Sequence, residues 1–249
     1  MNDNVVFYGG SFPTEKTSDK GVCCAMKQLY GPEALHMLPL PGGFIMATRQ
    51  NAYDDKVVVA YKMVNFESGT INPVTRNVYL LSKFGNNFKA CEKQLRDYLN
   101  CKTVMLDDGR LFAVYPDGAA RILDKDGRPE WQGALKYKDF GPADAVVHGH
   151  TLWASFPENN ALIRFNLRTM REELRIGGGN GSAFAAPEGL WVAGGDNMLV
   201  CNPGNHKILE VNLKSYTVYD YAEFDEPVRQ YIKIGGSEIV LLDSGVYRL

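Results

Sequence analysis

The chain has 249 residues, 45% hydrophobic and 22% charged, a balance that suits one large all-β domain and excludes a disordered or fibrous protein. Its 27 Lys and Arg against 29 Asp and Glu leave a formal charge of −2, so nothing draws it electrostatically to nucleic acid or to an anionic membrane. Five cysteines (Cys23, Cys24, Cys91, Cys101 and Cys201) form no CxxC and no Cys/His cluster with zinc spacing, so reduced thiols are expected, with no disulfide framework, no metal and no cofactor. The first twenty residues lack the basic start and apolar run of a signal peptide, and no stretch approaches membrane-spanning length; a cytoplasmic location is expected.

In chain order, residues 5–8 (VVFY) read as a first strand. In residues 22–30 (VCCAMKQLY) the apolar Val22, Met26, Leu29 and Tyr30 fall at helical spacing, which predicts a short helix. Glu33 opens a hairpin that turns at Pro41-Gly42-Gly43, and residues 56–65 and 77–84 follow as two more strands. Residues 88–99 carry Phe88, Cys91, Leu95 and Leu99 as one apolar stripe flanked by charges, which predicts a surface helix joining this unit to the next.

From Lys102 the pairs Asp108-Gly109, Asp117-Gly118 and Asp126-Gly127 mark three turns and hence four strands. Residues 144–178 repeat that plan with the runs AVVH, TLWASF, ALIRFNL and REELRI. Residues from Ser182 give a fourth unit, with Leu190-Trp191 taken as the counterpart of Leu152-Trp153. A fifth starts at Arg229 and ends after three strands. Its missing fourth strand has a donor in residues 5–8, and the borrowed strand removes two exposed sheet edges.

Equivalent starts at Glu33, Lys102, Asp144, Ser182 and Arg229 are spaced by 69, 42, 38 and 47 residues. A repeat near 40 residues with four antiparallel strands is the pattern of β-propeller blades. The chain resembles the propeller superfamily, and its third and fourth units look like YVTN-type repeats in NNALIRFNL, DNMLVCNPG and KILEVNL. The resemblance implies one all-β domain over residues 1–249, a five-bladed β-propeller closed by its N-terminal strand, with one or two short helices between blades. Six blades is the alternative, because the 69-residue first unit has room for an extra sheet.

A propeller places the residues that open its inner strands around the mouth of its channel. Glu33, Lys102, Asp144, Ser182 and Arg229 are therefore the candidate ligand-binding set, two acids beside two cations. The long connections, residues 11–32, 86–100 and 214–228, share one face, and the last carries Tyr216, Tyr219, Tyr221 and Phe224 as a candidate interaction loop. These features point to a binding module for a protein or a small polar ligand, monomeric, with no nucleic-acid or membrane partner. The alternative is a propeller hydrolase of lactonase or glycosidase type, in which Glu33 and Asp144 work with Asp225 or Glu226. His148 and His150 share one side of a strand, as two zinc ligands would, but stand at a turn without a third ligand.

Overall fold

The structure is a computed structural model that describes residues 11–17, 23–53, 56–66, 68–80, 82, 102–115 and 117–249. Strands β1–β21, numbered in chain order, form five antiparallel sheets. The fold class is the five-bladed β-propeller, and the described residues hold no sixth sheet. The chain divides into two compact units, residues 100–223 and the remainder.

In residues 100–223, the first blade comprises β7 (Lys102–Met105), β8 (Leu111–Val114), β9 (Ala119–Leu123) and β10 (Pro129–Ala134). The next comprises β11 (Asp144–His148), β12 (Thr151–Phe156), β13 (Ala161–Asn166) and β14 (Glu172–Gly177). The last comprises β15 (Leu190–Gly194), β16 (Asn197–Asn202), β17 (Lys207–Asn212) and β18 (Val218–Glu223). The three Asp-Gly turns form as expected, with Gly109, Gly118 and Gly127 all at positive φ. Strand alternation builds the core. Leu152, Ala154 and Phe156 of β12 pack toward Phe112 and Ile122, while Trp153 between them packs toward Met198 and Val200. Each of these side chains is almost wholly removed from water, a gain of roughly 2 kcal/mol apiece for all but the smaller Ala154.

One repeat boundary is corrected. The inner strand of the third of these blades begins at Leu190, eight residues after Ser182. Residues 182–189 cannot pair as a strand, because Pro187 has no N–H to donate and Ala186 sits at φ 53°. Leu190-Trp191 thus lies in a first strand and Leu152-Trp153 in a second, so the two pairs are not equivalent. The true correspondence is set by the 3-10 turns Pro157–Asn159 and Pro203–Asn205, each followed by a left-handed residue, Asn160 or His206. It matches Leu152-Trp153 with Met198-Leu199.

The other unit holds the blade β3 (Ala34–Leu40), β4 (Gly43–Tyr53), β5 (Lys56–Asn65) and β6 (Thr70–Leu80). It also holds β19 (Val228–Ile234), β20 (Ser237–Leu242) and β21 (Gly245–Arg248). The N-terminal segment does complete this last sheet, in the order β1-β2-β21-β20-β19. Its strands are β1 (Ser11–Thr17) and β2 (Cys23–Tyr30); the expected donor, residues 5–8, lies outside the described residues. The helix expected over residues 22–30 is therefore a strand. A sheet edge at β21 offers unpaired backbone groups along Gly245–Arg248, and pairing with them outweighs a helical spacing of four apolar residues. The second expected helix, residues 88–99, lies outside the described residues. Gln230 joins the two sheets of this unit: Met37 donates its backbone N–H to Gln230 Oε1 at 2.7 Å.

Gly245 stands at φ 143°, and a Cβ there would collide with the carbonyl oxygen of Tyr30, the last residue of β2. Gly236 also has positive φ, at 83°, but nothing within 4 Å of the added atom. Gly245→Ala is therefore expected to cost about 3 kcal/mol and Gly236→Ala about 1 kcal/mol, read as the fall in thermal midpoint of each variant. Equal losses would remove the β2–β21 junction as the reason.

Candidate functional site

Two of the five inner-strand residues meet. Lys102 Nζ lies 3.1 Å from Asp144 Oδ1, and Asp144 is 3% exposed. Oδ2 of the same carboxylate accepts the backbone N–H of Leu190 at 2.9 Å, and Oδ1 accepts that of Ala145 at 2.6 Å. The Asp144 N–H donates to Ser155 Oγ, whose hydroxyl donates to the Glu188 carbonyl. One buried carboxylate thus joins three consecutive inner strands, β7, β11 and β15. Burial raises the Asp144 carboxyl above the ordinary aspartate value; Lys102 and the N–H of Leu190 oppose the shift. Cys201 is buried beside this group, and burial, with the Glu188 and Asp144 carboxylates nearby, pushes its thiol well above the ordinary value. It is an inert core thiol rather than a nucleophile.

Arg229 forms a forked ion pair with Asp243, Nε to Oδ1 at 2.9 Å and an Nη to Oδ2 at 3.3 Å. Glu226 accepts the Ser244 N–H at 2.7 Å and also its hydroxyl, while Ser244 Oγ lies 2.7 Å from Tyr247 Oη. Ser182 stands in a connection and donates its hydroxyl to the Asn160 carbonyl at 2.9 Å. Glu33 is exposed at the foot of β3.

The aromatic set is dispersed. Phe224 is buried, and Tyr219 and Tyr221 belong to the outer strand β18 instead of a loop, Tyr219 being 62% exposed. The Tyr216 hydroxyl accepts from Arg164 at 2.9 Å, with the guanidinium 5.8 Å from the ring centroid, so this tyrosine covers the neighbouring blade. His148 Nε2 lies 2.9 Å from the Gly195 carbonyl oxygen, and His150 is exposed on the turn that follows. Among the described residues no three His, Cys, Asp or Glu side chains form a metal-binding group.

Glu33 belongs to a cleft of about 720 Å³ that the sequence did not reveal. Strands β4, β5 and β6 run 11, 10 and 11 residues, but the inner strand β3 pairs only as far as Thr48. Past that point Gln50 pairs with Val58 and Val58 with Val78, so three strands overhang the blade. Alternation puts Gln50, Lys56, Val58, Arg76 and Val78 on one side of the overhang. The opposite side carries Val57 and Val59 into the core. Tyr30, at the end of β2, walls the cleft: Lys62 Nζ donates to its hydroxyl at 2.6 Å and lies 4.8 Å from its ring centroid. Lys56 and Arg76 have no ion-pair partner among the described residues. The signal for this cleft was present in the strand lengths, but nothing in one sequence shows where a neighbouring strand stops pairing.

No protein-family model matches the sequence, and no curated protein matches it. Solved structures do. Virginiamycin B lyase of Staphylococcus aureus aligns with a TM-score of 0.53 at 11% identity, over 96% of this chain and 94% of its own. Glutaminyl cyclase of Myxococcus xanthus aligns at 0.51 and 10%, over 90% and 92%. The WD40 β-propeller domain of Doa1 gives 0.49 and 9%, over 85% and 61%. At such identities the first two likenesses support the fold and carry no activity across.

A carboxyl that holds its proton more tightly folded than unfolded makes the fold less stable as pH rises between the two values. Asp144→Asn keeps an acceptor for Leu190, so its thermal midpoint should fall less than that of the wild type as pH rises from about 4. Asp144→Ala leaves Lys102 and the Leu190 N–H without their partner and should lose about 3 kcal/mol or more near neutral pH. Parallel pH profiles for the wild type and Asp144→Asn would refute the raised carboxyl.

Proposed function

We propose that this protein is a binding module that seats an extended acidic segment of a partner protein in the cleft between Tyr30 and the overhanging strands β4–β6. The observation that carries the reading is the pair of cations Lys56 and Arg76, which have no ion-pair partner among the described residues, on the same side of one sheet as Val58 and Val78. An unpaired cation in a cleft keeps its full attraction for an anion, whereas Lys102 and Arg229 have theirs neutralised by Asp144 and Asp243. Val78 is 57% and Leu80 46% exposed on strand β6, whose outer edge no described strand pairs. A segment that alternates acidic and apolar residues matches both the charges and this apolar row, and its backbone matches a strand edge that no described strand covers. Glu33 supplies one acid at the rim and sets which end of the segment carries a basic group. This reading places the function in recognition rather than hydrolysis, since the candidate acids Asp144 and Glu226 are occupied by structural hydrogen bonds. No described helix is long and apolar enough to cross a membrane. A buried free thiol at Cys201 suits the reducing cytoplasm in which we place the protein.

The test is a titration with a short fluorescent peptide of alternating glutamate and valine, against the same peptide with lysine for glutamate. The acidic peptide should bind saturably and more weakly as salt rises, and Lys56→Glu with Arg76→Glu should lower affinity by about tenfold or more. The thermal midpoint should hold, because neither side chain has an ion-pair partner among the described residues to lose. Equal binding of both peptides, no binding, or no effect of the double variant would overturn the reading.

A further inference from the structure

A second cleft, of about 680 Å³, lies between the β7–β10 and β11–β14 blades, and the site described above makes no use of it. It opens where three hairpin turns come together: residues 106–110, residues 149–150 and residues 167–170. Its floor is apolar, formed by Leu106 and Ile122, both buried, with Leu167 and Met170 packed on the same core. Met170 is held at φ 52° by the turn that follows β13, its N–H donating to the Asn166 carbonyl at 2.7 Å.

The indole of Trp131 forms one wall. It is half-buried and lies flat along its own strand, across Gly133. A Cβ on Gly133 would collide with the six-membered ring, so glycine is the residue that lets the indole adopt this pose.

The rim is polar and divided in sign. Arg110 is clamped between Asp108, at 2.7 and 2.8 Å, and Glu130, at 3.2 Å. Those hydrogen bonds hold the Asp108 carboxyl below the ordinary aspartate value. Asn166 is committed to its own turn, accepting the N–H groups of Arg168 and Thr169. Three side chains at the rim have no hydrogen-bond or ion-pair partner among the described residues: Asp107 as acceptor, Arg168 as donor and His150 as either.

From this arrangement we infer that the cleft is a binding site for a neutral saccharide. A flat indole takes the C–H face of a sugar ring, burying apolar area without demanding an aromatic ligand. The uncommitted acceptor and donors suit hydroxyl groups, each of which gives and accepts a hydrogen bond. Acids and bases at the rim nearly balance, so neither an anion nor a cation gains from entering. A purely apolar ligand would strip water from Asp107 and Arg168 without replacing it. The volume falls in the range of small-ligand sites.

The test is a panel of neutral oligosaccharides (glucose-, mannose- and N-acetylglucosamine-based) titrated into the full chain, followed by tryptophan emission and isothermal calorimetry. At least one should bind saturably. Asp107→Ala and His150→Ala change exposed rim residues that have no described partner, so they should fold normally and weaken binding by about tenfold each. Trp131→Ala should abolish binding, and Trp131→Phe, which keeps a ring on the platform, should restore part of it. No binding across the panel, binding confined to sulfated or sialylated sugars, or binding that survives the Asp107 and His150 variants would overturn the inference. Lys56→Glu with Arg76→Glu should leave saccharide binding unchanged, which separates this site from the acidic-peptide cleft.

Discussion

The unit formed by residues 100–223 depends on one buried carboxylate. Blades packed through apolar side chains alone have no fixed axial register, because dispersion contacts tolerate sliding. Asp144 supplies the missing direction. It takes two backbone N–H groups and one ammonium, and its own N–H reaches Ser155, so three inner strands are tied at one level. Burial makes the charge costly, and that cost is what makes the arrangement specific: a shift of β7 or β15 takes one donor away from a carboxylate in the interior. Gln230 does the corresponding work between β19 and β3 with a neutral amide, at lower electrostatic cost.

The last sheet shows the same logic applied to edges. Strands β19–β21 would end on an open ladder at the chain terminus, and β2 occupies that ladder from the other end of the sequence. The junction leaves no room for a side chain at Gly245, so chain closure rests on a glycine as well as on backbone pairing. Sequence distance has no bearing on this pairing; the loop entropy of bringing distant ends together rises only slowly with length.

Recognition follows from what these structural demands leave over. At the inner strands, cations are consumed: Lys102 by Asp144 and Arg229 by Asp243. Lys56 and Arg76 stay available because they stand on strands that outrun the inner strand of their blade, where neither makes an ion pair with a described residue although Glu33 lines the same cleft. Asp107, Arg168 and His150 stay available because their turns are stabilised by backbone hydrogen bonds and by Asp108 and Asn166. Both clefts thus lie at strand ends, where the sheet no longer dictates the side chain.

Much of the fold was legible in the residues. Period-two alternation in TLWASF marks β12 to the residue and ALIRFNL marks β13 to within one, and the Asp-Gly pairs mark the turns of the β7–β10 blade, because both signals are local. Locality also explains the errors. VCCAMKQLY satisfies a helical period by composition, and only the open edge of β21 makes it a strand. Leu190-Trp191 copies Leu152-Trp153 as a dipeptide, and only the ladder shows that the two sit in different strands. Of the expected site residues, Lys102 and Asp144 meet and Arg229 finds Asp243, while Tyr216, Tyr219, Tyr221 and Phe224 disperse. The sequence by itself determined the repeat near 40 residues and most of the strands, since alternation and turn residues are local signals, while it left five or six blades open. Only the tertiary structure decided which charges are spent and which are free, because pairing depends on residues brought together from different strands.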